Sequence, residues 1–179
     1  MNKEKLSGIL IFLGVSQFLL FMIVSEALYP GYSVSKNYIS DLGVGSTAYI
    51  FNTSIIIMGL LLIISSFFLK NKILQVFLIL SGIGAAGVGI FPETSPYHLH
   101  TLMSLVVFLF SSLSSYVAFT YRSNKNYLWP IMGSIGLISL ILYILKIYGP
   151  IDYGGMERLI VYPNLIWALG FSGFLMSSK

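Results

Sequence analysis

Three features of the sequence predict an all-α, polytopic membrane bundle of six transmembrane helices. Of 179 residues, 56% are hydrophobic and only 9% are charged, where soluble domains carry about 25% charged residues. Six apolar stretches, 6–28, 48–69, 73–91, 98–120, 128–148 and 158–177, approach the roughly 20 residues that a membrane-crossing helix needs. The links between them leave no room for a soluble unit, so a single transmembrane domain spanning 1–179 is expected.

The first span follows Lys3 and Lys5 and ends in "SEA" at 25–27. A basic start and a small-x-small ending resemble a secretory signal peptide. The apolar run, however, exceeds the 7–15 residues of a signal core, so a retained helix is expected. The longest link comes next and carries "NYISDLGVGSTAYIFN" at 37–52, a polar stretch between two oily ones. The third span holds "LSGIGAAGVG" at 80–89, where Ser81, Ala85 and Gly89, and also Gly82 and Ala86, are four apart. Small residues at this spacing let helix backbones approach closely, so this helix is expected to be the most buried, or to serve an oligomer interface. A phosphate-binding loop is not expected from a glycine run inside a span.

The fourth span opens with "ETSPYHLHTLMS". Ser95 is the expected N-cap and Pro96 the first helical residue, where a missing N–H costs nothing. His100, Ser104, Ser111 and Ser115 then share one face, which should turn away from lipid. The fifth span lacks charge. The last, "GGMERLIVYPNLIW" at 154–167, places Pro163 within the helix, where it removes a hydrogen bond to the carbonyl of Leu159.

Charge sets the expected orientation. With the N-terminus inside, Lys3, Lys5, Lys70, Lys72, Arg122, Lys125 and Lys179 are cytoplasmic against the single acid Glu4. Lys36, Lys146 and Arg158 face outward with Glu26, Asp41, Glu93, Asp152 and Glu157. The positive-inside rule therefore predicts a multi-pass cell-membrane protein with both termini cytoplasmic. The net charge of +4 is spread thinly beside the spans, so membrane lipid is the expected partner and nucleic acid is not. The absence of cysteine excludes disulfides and thiolate metal sites.

Polar chemistry concentrates on the predicted outer side. Three helices start there, each N-terminus offering free N–H groups and about half a positive charge. Asp41, Glu93 and Glu157 mark the three outer links and either cap those helices or share a site. His98 and His100 are two apart, so on a helix they diverge, unlike the i, i+4 pair of a zinc helix; no metal is assigned, and any cofactor is left open. The candidate catalytic set is His100 as acid or base with Asp41 and Glu93. The candidate ligand-binding set is Arg158 with Glu157, Asn52, His98, Tyr162 and Asn164; Arg158 either clamps an anionic headgroup or pairs with an acid of another link.

"NYISDLGVGSTAYIFN", then "GIFPE" before "HLHTLMSLVVF", then "ERLIVYPNLIW", resemble the family catalogued as domain of unknown function 998, six-helix integral membrane proteins. The resemblance covers nearly the whole chain and carries over Asp41, Gly43, Asn52, Glu93, His100, Glu157, Arg158 and Pro163. It implies an architecture and no assigned reaction. The first segment is also similar to the "ISD-G…F-N" segment of DRAM- and Frag-type membrane proteins. A distant likeness to ceramidase-like hydrolases would imply a zinc site with three histidines, but this chain has two and lacks the pair in its last helix.

Three functions are consistent with these residues. The leading expectation is an outward-facing polar pocket that binds, and hydrolyses or transfers, a lipid or polyprenyl headgroup. The second is a non-enzymatic accessory or scaffold subunit, forming a homo- or hetero-oligomer through the small-residue third helix. A small transporter is third, disfavoured because no clear pair of interrupted helices is present.

Overall fold

A computed structural model describes residues 2–121 and 125–177. Arg122 and Lys179, counted above in the cytoplasmic basic set, lie outside the described residues. Among the described residues the secondary structure is all helical. The helices are α1 (Lys3–Leu28), α2 (Ala48–Ser66), α3 (Lys72–Ile90), α4 (Leu99–Phe119), α5 (Leu128–Ile144) and α6 (Asp152–Met176). Five are long and apolar enough to cross a membrane, while α5 is a shorter apolar helix of 17 residues. The chain is a multi-pass helical membrane bundle.

Local chemistry sets several of these boundaries. The side chain of Asn2 caps α1 by accepting from the Glu4 N–H, and Asn71 caps α3 by accepting from the Leu74 N–H. The start of α4 differs from expectation. Pro96 opens a single 3₁₀ turn and Ser95 makes no side-chain capping bond; Tyr97 and His98 then adopt left-handed backbone, so the α-helix begins only at Leu99. Helix α6 starts at Asp152, six residues earlier than the apolar pattern indicated, and runs through Pro163 to Met176.

Each helix packs on its neighbours in sequence and α6 returns to α1, so the six close into a ring. Helix α3 lies between α2 and α4, and its glycines are used there. A Cβ on Gly59 would sit 2.5 Å from the Gly82 carbonyl oxygen, and a Cβ on Gly84 2.5 Å from the Val107 nitrogen. Backbones at that distance touch, which is how small residues substitute for the missing hydrophobic drive between helices in lipid. Serines inside the helices mostly return their hydroxyls to carbonyls three or four residues back, as Ser25, Ser54, Ser65 and Ser81 do.

One end of the ring gathers the ends of α1, α3 and α5 with the starts of α2, α4 and α6; it carries most of the acids and is called here the acidic end. The opposite end is tied by Glu4, whose Oε1 accepts from the Tyr121 hydroxyl at 2.7 Å and lies 3.8 Å from Lys70 Nζ.

Candidate functional site

The acidic end is organised by the 29–47 link, which folds inward instead of looping into solvent. Two 3₁₀ turns, Ser40–Gly43 and Gly45–Thr47, lead into α2, and Ile39, Ser40, Leu42 and Gly43 are buried. Arg158 holds this link from below. Its Nη1 donates to the carbonyls of Val34 (2.8 Å), Asn37 (3.1 Å) and Gly154 (3.0 Å). Its Nη2 donates to Glu26 Oε1 at 2.6 Å and to the Tyr32 hydroxyl at 2.5 Å. The guanidinium is thus spent on the protein itself, with its side chain 5% exposed, and only Nε lacks a partner. Gly154 completes the junction: its N–H donates to the Ser35 carbonyl at 2.9 Å, and a Cβ there would run into the carbonyls of Val34, Ser35 and Asn37.

Above this peg the carboxylates converge. Asp41 Oδ2 accepts from Asn37 Nδ2 and from the Tyr38 N–H, both at 2.9 Å, which closes the turn locally. Glu157 Oε2, reaching up from α6, accepts from the Ile39 N–H at 2.5 Å. Ser40 donates its hydroxyl to Glu93 Oε1, and the Glu93 and Asp41 carboxyls lie within hydrogen-bonding reach of each other. Glu93 is exposed at the rim, yet partial desolvation raises its carboxyl above the ordinary carboxylate range; the Ser40 hydroxyl opposes this and the neighbouring Asp41 adds to it. Burial likewise raises the Tyr32 phenol. His100 Nδ1 is 2.8 Å from the Phe91 carbonyl oxygen. A carbonyl only accepts, so Nδ1 carries the proton and Nε2 of the neutral ring is an acceptor.

Below the carboxylates the ring encloses a cavity. Its volume is about 80 Å³, and it runs from Ile39, Ser40 and Glu157 down to Leu62, Leu78 and Ala168. The walls are apolar, set by Phe18, Phe51, Met58, Val107, Phe108 and Trp167. From Phe51 to Leu62 along α2 the depth is about 16 Å at 1.5 Å per residue. Glu157 is 6% exposed and stands at the head of this space.

A family model described as "Protein of unknown function (DUF998)" matches residues 12–172. The chain belongs to the DUF998 family. No significant match was found among curated proteins or among solved structures.

In this DUF998 chain the site residues expected from the sequence fall into three groups. Asp41, Glu93 and Glu157 come together, and His100 lies within electrostatic range of Glu93. Arg158 and the adjacent Tyr162 belong to the peg that holds the 29–47 link, not to an open anion clamp. Asn52 holds the first turn by donating to the Gly43 carbonyl at 3.0 Å, while its Oδ1 is buried without a partner. Asn164 lines the lower cavity but is engaged with Ser112 Oγ at 2.9 Å, the Ile160 carbonyl at 2.9 Å and Trp167 Nε1 at 3.1 Å. His98 stands exposed on the left-handed turn before α4, apart from the others. Among the described residues, no three or more of His, Asp and Glu form a group able to hold a metal ion.

Sequence reasoning left out Ser40, Tyr32 and Glu26 as parts of the site. Glu26 was detectable, because Ile11, Val15, Phe18, Met22 and Glu26 recur every three or four residues on one face of α1. An acid on a core-facing stripe signals a buried partner. Ser40 carried no such signal; its role comes from Glu93, 53 residues away.

Proposed function

We propose that this protein binds an amphiphile, a lipid or polyprenyl species, with its headgroup at the Ser40, Glu93 and Glu157 rim and its chain in the cavity. The observation that carries this reading is the cavity itself, apolar along its depth and topped by a buried carboxylate. Ligand pockets have this composition, a mostly apolar wall with a few fixed polar groups. On the positive-inside argument the acidic end faces outward, so the headgroup is taken from the outer leaflet of the cell membrane and both termini are cytoplasmic. One domain, 1–179, serves the whole function.

Hydrolysis or transfer at the headgroup is the chemistry these groups are suited to. His100 has its Nδ1–H committed to Phe91, which leaves Nε2 to take a proton. Glu93, held toward its protonated form, is suited to give one. Arg158 acts as a positioning residue that keeps the 33–39 backbone, and through it the Ile39 N–H, in register with Glu157. The scaffold reading asked the glycines of α3 to face a partner; Gly82 and Gly84 face α2 and α4 of the same chain.

The test is lipid retention after purification in mild detergent, read by mass spectrometry, together with turnover of the retained lipid. Wild type should carry a bound amphiphile. Ser104→Phe, which places a ring in the cavity, should lose it while folding normally. His100→Ala should keep the ligand and abolish any turnover, and Glu93→Gln should abolish turnover. Equal lipid content in wild type and Ser104→Phe would refute the pocket.

A further inference from the structure

The rim of this cavity presents hydrogen-bond acceptors almost exclusively, and that limits what can sit there. Glu157 is the clearest case: Oε2 takes the Ile39 N–H, Oε1 has no hydrogen-bond partner among the described residues, and the residue is 94% buried against the cavity. Ser40 has spent its hydrogen on Glu93 and offers only lone pairs. His100 has spent Nδ1–H on the Phe91 carbonyl. Asp41 is a carboxylate whose Oδ2 is already committed to two donors.

The donors that would suit an anion are absent or already used. Arg158 is paired with Glu26 and three carbonyls. Lys36 and Lys146, at the same end, are exposed and form no ion pair with these carboxylates. Three helix N-termini point to this end, each worth about half a positive charge, but the acidic groups of Asp41, Glu93 and Glu157 crowd the same place. Their free N–H groups are also in part consumed: Gly154 N–H by Ser35, Tyr153 N–H by Asp152, and α4 begins behind a proline turn.

From this we infer that the headgroup is a hydrogen-bond donor carrying positive charge, a primary ammonium on an apolar chain, and not a phosphate. An ammonium supplies three donors and one charge, matching the free oxygen of Glu157 and the lone pairs of Ser40, and its charge favours the ionised form of the acids around it. A phosphate would bring acceptors to acceptors and negative charge to negative charge, in a setting where charge repulsion is poorly screened. The apolar walls of the cavity call for an apolar chain behind that headgroup. This inference rests on the amphiphile reading above.

The experiment uses the full chain in phosphatidylcholine nanodiscs, with empty nanodiscs as control. Tetradecylamine, tetradecyl phosphate and tetradecanol are titrated and binding is read by calorimetry and by thermal shift. Tetradecylamine should bind saturably and about tenfold or more tighter than the other two, as expected for a charge-assisted hydrogen bond. Glu157→Gln should remove most of that preference, and Glu93→Gln, at the more exposed edge, should reduce it in the same direction. Ser104→Phe should weaken all three probes alike. Tetradecyl phosphate binding as tightly as the amine would overturn the headgroup assignment and leave the pocket standing. Failure of all three probes to bind wild type above the empty-disc control would overturn both.

Discussion

Replacing Arg158 by methionine removes the cation that fastens the 29–47 link to α6 and keeps a side chain of similar length. The guanidinium makes five hydrogen bonds, three to carbonyls and two to Glu26 and Tyr32. Its loss strands Glu26, whose side chain is only 19% exposed, and leaves the Val34, Asn37 and Gly154 carbonyls short of a donor. Removing one member of a buried ion pair costs about 3–5 kcal/mol; the partial exposure of Glu26 argues for the lower end, about 3 kcal/mol. For a chain of this size that lowers the melting temperature by roughly 6–12 °C. Trp129 and Trp167 provide an intrinsic fluorescence signal in nanodiscs, and limited proteolysis within 29–47 reports the link directly. Glu26→Gln should cost less, because a neutral amide still accepts from Nη2. The double variant should be less destabilised than the two singles combined, since they remove one shared interaction. A melting temperature within about 2 °C of wild type together with loss of ligand binding in Arg158→Met would refute this reasoning and restore Arg158 as a headgroup clamp.

Three further outcomes follow from the same structure. Gly59→Val drives a Cβ to 2.5 Å from the Gly82 carbonyl oxygen and 2.6 Å from the Ala86 nitrogen, neither of which can rotate away; a loss of at least about 3 kcal/mol should show as poor folded yield on size-exclusion chromatography. The Glu93 carboxyl is held above the ordinary carboxylate range, so the folded state binds its proton more tightly than the unfolded state does. Its stabilising contribution is complete below the ordinary range and is lost as pH rises through the folded value. Glu93→Gln should therefore flatten the fall in melting temperature between mildly acidic and neutral pH; an unchanged pH profile would contradict that. At the opposite end, Tyr121→Phe deletes a hydroxyl that donates to Glu4 at 2.7 Å and accepts from the Lys70 N–H at 3.2 Å. A cost of about 1–3 kcal/mol, with ligand binding unaltered, is expected by thermal melting.

How much of this was legible in the sequence depends on the range of the interaction concerned. The six helices were legible because burying a backbone in lipid forces each span to satisfy itself within about 20 apolar residues, and that constraint is local. The close approach of α3 was legible for the same reason, since glycine spacing declares a flat face. The start of α4 was not: Tyr97 and His98 turn left-handed, and nothing in a Ser-Pro pair announces where a helix recovers. The pairing of Arg158 was read from its type and not from its surroundings. A lone arginine near three acids fits a clamp as well as a peg. The deciding partners, the Val34 and Asn37 carbonyls, are backbone groups that carry no sequence signature. Topology allowed Asp41, Glu93 and Glu157 either to cap their own helices or to share a site, and the choice between these, like the Ser40 to Glu93 bond across 53 residues, required the fold.

The cavity is the feature furthest from the sequence, and its origin lies in how unequal contacts close the ring. Glycine contacts draw α2, α3 and α4 together along their length, so neighbouring backbones meet without inserting large side chains toward the centre. Helix α4 also meets α6 directly, behind α5. No residue of α5 lines the cavity; its wall comes from α1, α2, α3, α4, α6 and the 39–40 turn. The one helix too short to pass the length test for a span thus stands outside the chamber. Phe18 and Phe51 narrow the space near the rim, edge to face with ring centres 5.7 Å apart, but nothing from the opposite side fills it. An apolar void in a well-packed protein costs stability in proportion to its volume. A bundle that closes α4 on α6 and leaves the centre open gives up that packing energy, and an apolar chain entering from lipid would return it. On that reasoning the peg at Arg158 and the void beneath it serve one purpose: the first fixes the rim so that the second has a defined mouth.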